Sequence, residues 1–485
     1  MVVSTVLLLI SIIAPLVIGF LLFIPFLQKY AGWITAGVST VVLAFLITAS
    51  VPIWNSSVTK VELQWAPAAG LLMGFLLDNL SALIALLIAV VSTLTAFYSI
   101  KYMEHEERKG LYFSLYNFFF AGMLGVVLST NLLEFFFFWE LMLIPSYLMI
   151  VYWGTKAKAA KVALKYFFYT QVGSIGIIVS FAIIAFYGNS LNIAEIATNL
   201  SISSLPNAIL YLTFILLMIG LAVKLAIFPF QNWLPDAHGE APTPISVLLS
   251  AVMIETAAYA IVRIAMQFYG EIFETSRIVF ESVGVFTLLY GGFLALRQTD
   301  VKRLLAYSSV SQMGYVFIGL STYNQFGVSG GLFHILAHGF GKGILFMTAG
   351  ILIHEVKTRD ITAMGGLGRK MPFTAIISFI AALNLAGTPP LSGFFSEWFI
   401  FSGAFYQATT EFVILGIFLL LGSILSAAYM LRFLWKVFLG PLPGELEKTK
   451  ETKLLLWVPG AILALLAIFF GIFANVAIEL FSTVI

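Results

Sequence analysis

The feature that most constrains the fold is a succession of apolar runs that extends along the whole chain. A membrane-spanning helix needs about 20 predominantly apolar residues, and runs of this length recur from residue 4 to residue 480. Of the 485 residues, 61% are hydrophobic and 10% are charged. Soluble domains carry about a quarter charged residues, so the sequence predicts an all-α integral membrane protein.

We predict about fourteen transmembrane helices. No polar linker is long enough to separate two hydrophobic cores, so residues 1–485 are expected to form a single membrane domain. The first run is longer than the apolar part of a signal peptide and lacks a basic stretch before it, so it is predicted to be a retained helix. The predicted helices α1 to α14 cover residues 4–26, 32–53, 72–100, 111–130, 132–152, 165–187, 207–229, 244–268, 279–296, 304–321, 328–353, 371–405, 412–435 and 454–480.

The loops predict how the chain is oriented, because Lys and Arg collect on the cytoplasmic side of membrane proteins. The loops after α1, α3, α5, α9, α11 and α13 hold 18 of the 25 Lys and Arg residues, whereas loops after even-numbered helices hold Lys60 and Arg277. The odd-numbered loops are therefore predicted to face the cytoplasm. Both termini are expected on the outer side of the cell inner (plasma) membrane.

Charge and residue usage exclude several kinds of site. The net charge of +2 gives no support to nucleic-acid binding. The chain has no cysteine, so iron–sulfur clusters and thiolate zinc sites are excluded, since both need cysteine ligands. Five histidines leave little for haem. We expect no cofactor or metal in this chain, and any electron carrier in another subunit.

Charged residues inside the predicted helices are the main candidates for function. A charge at the bilayer centre costs at least ~2.5 kcal/mol, and such residues are functional by default. Arg263 and Arg432 lie near helix ends, where we expect their side chains to reach the interface. Pairing of Glu140 with Lys224 would stabilise both charges and form a switchable pair, although a static salt bridge is the alternative. The deeper candidates are Glu140, Lys224, Glu255, Lys342 and Glu397.

A polar stripe is predicted on α11. His334, His338 and Lys342 follow one another at intervals of four residues, which places them on one face of a helix. Histidine titrates near neutral pH and passes protons through either ring nitrogen. We expect a proton relay through His338 and Lys342. For His334, hydrogen bonding to neighbouring helices is an equally good interpretation.

Two helices are predicted to be broken. Pro229 follows Lys224 by five residues in α7, and α12 contains Gly387, Pro389 and Pro390. Proline removes a backbone donor, and paired broken helices in corresponding halves are typical of a transport path. An ordinary proline kink is the alternative for Pro229.

Four segments resemble the antiporter-like membrane subunits of the complex I family, most closely its chain 4 (M-type) branch. Similar subunits occur in membrane-bound hydrogenases and in Mrp-type antiporters. The resemblance runs from about residue 70 to residue 440. The matching segments are Phe-Phe-Trp-Glu-Leu-Met-Leu-Ile-Pro at 137–145, Val-Lys-Leu-Ala-Ile-Phe-Pro-Phe at 223–230 with its continuation to 246, Asp-Val-Lys-Arg-Leu-Leu-Ala-Tyr at 300–307 with its continuation to 315, and Gly-Thr-Pro-Pro at 387–390.

The resemblance implies two inverted repeats of five helices each. The first repeat would be residues 111–268, with α4 to α8, and the second 272–440, with α9 to α13. Residues 1–110 would add α1 to α3, and residues 441–485 would add α14.

The resemblance also implies a proton relay. The glutamate of α5, the lysine of α7, the histidine of α11 and the glutamate of α12 match Glu140, Lys224, His338 and Glu397. In α8 the family usually has a lysine where this chain has Glu255, and Lys342 is expected to balance it. The full predicted relay is Glu140, Lys224, Glu255, His334, His338, Lys342 and Glu397.

The implied function is that of a proton-translocating subunit in a redox-driven oxidoreductase complex, without a redox centre in this chain. The implied partners are further antiporter-like subunits, peripheral redox subunits and lipid. The alternative is one component of an Mrp-type sodium/proton antiporter without a redox role. A structural scaffold would instead tolerate replacement of the buried charges by apolar residues.

Overall fold

The computed structural model describes residues 2–55, 57–66, 71–154, 158–199, 205–406 and 409–481. Helices occupy all fourteen predicted positions, and an antiparallel hairpin of β1 (Thr59–Ala66) and β2 (Leu71–Leu77) precedes α3. Lys156, one of the predicted loop cations, lies outside the described residues. The integral-membrane, mostly helical fold is confirmed.

Most helices begin and end close to their predicted bounds, and α7 and α12 are each divided into parts a and b. The prediction that α3 begins at residue 72 is wrong, because residues 72–77 belong to β2 and pair with β1, and the helix begins at Asn79. The observed ranges are α1 Val2–Leu21, α2 Ala31–Ser50, α3 Asn79–Tyr102, α4 Lys109–Leu128, α5 Leu132–Trp153, α6 Ala159–Gly188, α7a Asn207–Leu225, α7b Leu234–Glu240, α8 Thr243–Met266, α9 Arg277–Arg297, α10 Val301–Ser321, α11 Gln325–Val356, α12a Pro372–Leu385, α12b Ser392–Phe405, α13 Thr410–Leu439 and α14 Leu454–Ile472.

Twelve helices in the described part of the chain are long and apolar enough to cross a membrane. The other two predicted spans are α10 and α12. The first carries a polar run that includes Ser308, Ser309, Ser311 and Gln312, and the second is split into two pieces of 14 residues each. The count of fourteen spans, the inverted repeats and the division at residues 110, 268 and 440 stay predictions.

Two helices form the centre of the molecule. In α8 and α11, every residue of the most apolar stretch of 18 residues is buried. In α13, 33% of the corresponding stretch is buried. Glu255 on α8 and His338 on α11 both have fully buried side chains. Because neither helix faces lipid, polar side chains on them are surrounded by protein.

A partly buried ion pair ties α8 to the start of α3. Arg263 Nη2 lies 2.7 Å from each carboxylate oxygen of Asp78, and Arg263 Nε donates to the hydroxyl of Tyr259 at 3.0 Å. Burial raises the pKa of Asp78, but the Arg263 charge and hydrogen bonds from Ser81 and Arg263 together hold it below its ordinary value. That Arg263 reaches the interface stays a prediction, and the structure adds that the Asp78 carboxylate lies within reach of its guanidinium.

Close contact between α9 and α10 depends on glycine. A Cβ atom added at Gly291 would lie 2.5 Å from the backbone nitrogen of Ser311, and one added at Gly314 would lie 2.6 Å from that of Leu288. Small residues let helix backbones approach closely in membranes, where packing replaces the hydrophobic effect as the force between helices. These two glycines therefore set the separation of α9 and α10.

We predict that Gly291→Ala lowers the stability of the folded chain by about 1–3 kcal/mol, since a backbone atom cannot move aside as a flexible side chain can. The midpoint of thermal unfolding in mild detergent measures the effect. Gly37→Ala is the control, because a Cβ atom at Gly37 of α2 meets nothing within 4 Å. An equal midpoint for both variants would contradict the assigned role of Gly291.

Candidate functional site

The break in α7 places Lys224 at the end of a helix inside the protein. α7a ends at Leu225, and Ala226 adopts a left-handed conformation with φ 58°. The peptide bond between Phe228 and Pro229 is cis. The predicted break is confirmed, although the helix ends four residues before Pro229. A cation near a helix C-terminus is favoured by the negative end of the helix dipole.

Trp233 satisfies part of the backbone that the break exposes. Its indole nitrogen donates to the carbonyl oxygen of Val223 at 2.8 Å. An unpaired backbone carbonyl at membrane depth is costly. Trp233 therefore stabilises the interrupted helix directly beside Lys224.

Lys224 and Glu140 lie near each other without touching. Lys224 is buried, its Nζ has no hydrogen-bond partner among the described residues, and it lies 5.3 Å from the ring centroid of Trp139. Oε1 of Glu140 is also buried without a described partner. In the described part of the chain Lys224 Nζ has no hydrogen bond, so the structure does not show the static salt bridge that was the alternative interpretation, and the switchable pair stays a prediction.

Trp139 is the aromatic neighbour of Lys224. Its ring is stacked on Phe135 at 5.6 Å, and its indole nitrogen donates to Ser174 on α6 at 3.1 Å, so the ring is held in place. The face of an indole attracts a cation. The ring thus stabilises Lys224, while Glu140 lines a mostly apolar cavity of about 420 Å³ between α5 and β2.

The centre of the site is a contact between an acid and a histidine. Nδ1 of His338 lies 2.6 Å from Oε1 of Glu255, and both side chains are fully buried. The other ring nitrogen of His338 and Oε2 of Glu255 have no described partner. This pair joins α8 to α11 and leaves one free polar atom on each side. A proton can pass between Oε1 of Glu255 and Nδ1 of His338. The pair can accept or release a proton at Oε2 of Glu255 and at Nε2 of His338.

Lys342 does not take the predicted place beside Glu255. Its Nζ donates to the carbonyl oxygen of Leu305 at 3.1 Å and to the hydroxyl of Ser308, both on α10. Glu255 is contacted by His338 instead. The expectation that Lys342 balances Glu255 is wrong, because one turn of α11 directs the lysine toward α10 while His338 faces α8.

His334 connects two other helices. Its Nδ1 lies 2.9 Å from the hydroxyl of Ser396 on α12b, and its Nε2 lies 2.9 Å from Oε1 of Gln312 on α10. Gln312 in turn donates to the Tyr429 hydroxyl on α13 at 3.1 Å. Both ring nitrogens therefore have neutral partners, as the interpretation of His334 as a link between helices predicts.

Glu397 lies at the break in α12. Its Oε2 accepts from Ser423 at 2.9 Å, Ser423 lies 2.8 Å from the Tyr315 hydroxyl, and Oε1 has no described partner. Gly387, with φ +64°, lies directly against this carboxylate, because a Cβ atom there would be 2.6 Å from Oε2. The predicted break is confirmed at residues 386–391, which include Pro389.

Asn384 holds the two halves of α12 together. Its Oδ1 accepts from the backbone nitrogen of Gly393 at 2.9 Å and from Ser392 at 3.0 Å. Its Nδ2 donates to the carbonyl oxygen of Ala337 on α11 at 2.8 Å. One side chain thus satisfies the backbone nitrogen of Gly393, while Gly387, Thr388 and Leu391 donate to backbone carbonyls. The peptide bond between Pro389 and Pro390 is cis.

Five of the seven predicted relay residues form three groups, and His334 and Lys342 instead bond to α10 and α12b. Glu140 with Lys224, Glu255 with His338, and Glu397 with its hydroxyl partners each occupy a separate part of the interior. Hydrogen bonds within the described residues do not join one group to the next, so a proton would need water between them. The chemistry available is proton transfer between acids, imidazoles and hydroxyls.

Sequence reasoning missed several residues of this interior. His238 on α7b is fully buried, neither ring nitrogen has a described partner, and its ring is stacked on Phe346 at 4.9 Å. It lies inside the segment 223–246 that carries the resemblance, which was a usable signal. Gln312 was signalled by its position in the polar run of α10. Ser423 and Ser396 have no such signal, since single serines are common in membrane helices.

Comparison with known families places the chain. Residues 129–424 match the model described as NADH:quinone oxidoreductase/Mrp antiporter, TM, and residues 65–113 match the one described as NADH-Ubiquinone oxidoreductase (complex I), chain 5 N-terminus. The chain is 33% identical over 435 residues to NAD(P)H-quinone oxidoreductase chain 4-2 of Synechocystis sp., which covers 86% of this chain and 76% of that protein.

The second type of relative comes from an antiporter. The chain is 34% identical over 497 residues to the A-type subunit of the Na(+)/H(+) antiporter of Alkalihalophilus pseudofirmus, which covers 96% of this chain. The match spans 61% of that longer protein. The activity of that whole protein therefore cannot be assigned to this chain on the basis of the match.

Solved structures agree with the fold. A chain of the Mrp complex from Dietzia sp. superposes with a TM-score of 0.90 at 23% identity, covering 100% of this chain and 97% of that one. A chain of respiratory complex I from Thermus thermophilus superposes with a TM-score of 0.87 at 25% identity, covering 98% of both chains. A chain of the membrane-bound sulfane sulfur reductase, described as an archaeal respiratory membrane complex, gives 0.86 at 28% identity, covering 96% of this chain and 75% of that one.

These matches confirm the resemblance that the sequence motifs predicted. The chain belongs to the NADH:quinone oxidoreductase/Mrp antiporter transmembrane family and is an antiporter-like membrane subunit homologous to complex I chain 4 and to the A-type subunit of Mrp antiporters.

Proposed function

We propose that this chain translocates protons as one membrane subunit of a larger complex. The observation that carries the proposal is the 2.6 Å contact between Glu255 and His338, both fully buried, between two helices whose apolar stretches are buried. A proton on Oε1 of Glu255 moves to Nδ1 of His338, which leaves a carboxylate beside an imidazolium, and the reverse transfer restores two neutral groups. No covalent bond to substrate is formed.

Glu140 and Lys224 supply the control of this step. Their buried charged atoms lack hydrogen-bond partners among the described residues, so the position of either charge responds strongly to changes nearby in a medium of low dielectric. A change that moves Glu140 toward Lys224 favours the protonated lysine, and its withdrawal favours release of that proton. Trp139 keeps Lys224 in place in the meantime.

Residues of α11 and α12b extend the proposed proton route. His334, Lys342 and Glu397 offer further groups for protons, with Gln312, Ser308 and Ser423 as their respective hydrogen-bond partners, and Ser423 also bonds to the Tyr315 hydroxyl. Oε1 of Glu397 has no described partner at the break in α12. Non-helical backbone at membrane depth lies beside water-filled cavities or inside protein, so we place the entry of water at this break.

A redox-driven complex is our preferred setting. The chain is homologous to a quinone oxidoreductase chain over 76% of that protein, against 61% of the A-type antiporter protein. Electron carriers would then lie in peripheral subunits, further antiporter-like subunits and lipid would contact the exposed helices, and the complex would lie in the plasma membrane with both termini of this chain outside. A sodium/proton antiporter of the Mrp type is the second candidate, favoured by the 34% identity over 96% of this chain.

We predict that Glu255→Gln and Lys224→Ala each abolish proton pumping by the intact complex. The glutamine keeps the size of the side chain but cannot release a proton, and alanine removes the cation. Acidification of inside-out vesicles, measured separately from the driving reaction, is the test. Lys29→Ala and Glu411→Gln, which change exposed residues, are the controls. Pumping at the wild-type rate in both test variants would refute the proposed function.

A second prediction concerns the helix break. Gly387→Ala should reduce pumping strongly, because the new methyl group would displace the Glu397 carboxylate and alanine is strained at φ +64°. Gly444→Ala is the matched control, since a Cβ atom there meets nothing within 4 Å. If Gly387→Ala pumped normally in a correctly assembled complex, the role assigned to Glu397 would be wrong.

The third prediction identifies the setting. When the chain is purified in mild detergent, we expect mass spectrometry to find subunits that carry iron–sulfur or quinone sites. Co-purification of small membrane subunits alone would instead establish the stand-alone antiporter. Repeating the purification with a tag on one of the co-purified proteins controls for chance association.

A further inference from the structure

A single polar stripe runs along α8 from the centre of the molecule to its surface. Glu255, Tyr259, Arg263 and Gln267 follow at intervals of four residues, and the remaining side chains between 257 and 266 are apolar. Exposure increases along the stripe, because Glu255 is fully buried, Tyr259 is 2% exposed, the Arg263 side chain is 12% exposed and Gln267 is exposed. The stripe begins at the Glu255–His338 pair.

The outer end of this stripe opens into a cavity of about 270 Å³. Tyr259, Arg263 and Gln267 form one wall, and the opposite wall comes from β1, with Lys60, from β2 and from the loops after α4 and α6. All of these connections follow even-numbered helices and lie on the face that is poor in Lys and Arg, which the charge distribution predicts to be outside. The cavity therefore connects the stripe with the outer face.

The described contacts divide the stripe into two steps. Side chains four residues apart on a helix have Cβ atoms about 5–6 Å apart, so Glu255 and Tyr259 are neighbours on one face of α8. A proton would pass between their polar atoms through water. Tyr259 and Arg263 are in direct contact at 3.0 Å, and Arg263 is held to both oxygens of Asp78 at 2.7 Å. A fixed cation is thus bonded to the tyrosine hydroxyl at the wall of the outer cavity.

We propose that α8 forms an outward proton path in which Tyr259 is the last hydroxyl and the Arg263–Asp78 ion pair is its outer barrier. This inference rests on the proposed function. A proton from the carboxyl of Glu255 is accepted by the Tyr259 oxygen as the phenolic proton leaves toward the cavity, so the tyrosine is unchanged after each transfer. The Arg263 cation repels a positive charge on that oxygen, and displacement of the arginine opens the path.

The ion pair also explains why such a path does not leak at rest. Arginine stays protonated under all ordinary conditions, and the bonds to Asp78 keep its guanidinium beside Tyr259. A neutral pair of the same size would leave the hydroxyl accessible to water from the cavity. The barrier therefore depends on charge rather than on packing alone.

The test is passive proton flow through the whole complex in liposomes that contain pyranine. Valinomycin and a potassium gradient set the membrane voltage, so no driving reaction is needed. We expect the wild-type complex to be tight and the double variant Asp78→Asn with Arg263→Gln to admit protons. Adding Tyr259→Phe to the double variant should abolish that flow, whereas adding Tyr116→Phe, which removes another buried hydroxyl on α4, should leave it unchanged.

Two results would overturn the inference. One is a correctly assembled double variant that is as tight as the wild type, and the other is a leak that persists when Tyr259→Phe is added. If the double variant fails to assemble, driven pumping by the conservative variant Tyr259→Phe decides the question, with loss of pumping expected and wild-type pumping contradicting the path.

The same variants distinguish this inference from the proposed function. If Glu255→Gln abolishes driven pumping while Tyr259→Phe pumps normally, the outward path is wrong and the proposed function stands. If Glu255→Gln and Lys224→Ala both pump normally, the proposed function is wrong, and the path along α8 is wrong with it.

Discussion

The rest of the structure depends on the requirement that polar groups at membrane depth find partners inside the protein. Lipid offers no hydrogen bonds, so an interrupted helix is stable only where side chains replace the missing backbone bonds. Trp233 does this for the end of α7a through Val223, and Asn384 does it for α12 through Gly393 and Ala337. These satisfied breaks place Lys224 and Glu397 at helix ends inside the protein.

The same requirement decides which polar atoms remain available. Most buried hydroxyls near the site have a described partner, as Ser308, Ser396 and Ser423 do. In contrast, Nζ of Lys224, Oε2 of Glu255, Nε2 of His338 and Oε1 of Glu397 have none among the described residues. A buried polar atom without a partner is expensive. Here such atoms belong to four titratable side chains. Proton transfer through intervening water requires titratable groups with atoms that are free to bond to water.

Much of the fold could be predicted from the sequence because length, hydropathy and helix-breaking residues are local properties. The positions of the helices, the breaks at Pro229 and Gly387, and the buried charges all followed from them. The contacts between side chains of different helices could not be predicted, since they depend on how each helix is rotated against its neighbours. Lys342 faces α10 instead of Glu255, and Arg263 meets Asp78 across 185 positions of sequence. The contact between Lys224 and the Trp139 ring is equally non-local.

The packing gives a physical reason for Glu255 at the position where related chains usually have a lysine. A lysine facing His338 would place a positive charge beside a group that becomes positive when protonated, and like charges repel strongly in a medium of low dielectric. With Glu255 the pair is neutral overall in both of its protonated arrangements, as acid with imidazole or as carboxylate with imidazolium. The proton can therefore change sides without a change in the net charge that the interior must carry. That neutrality allows a titrating centre to lie in helices as completely buried as α8 and α11.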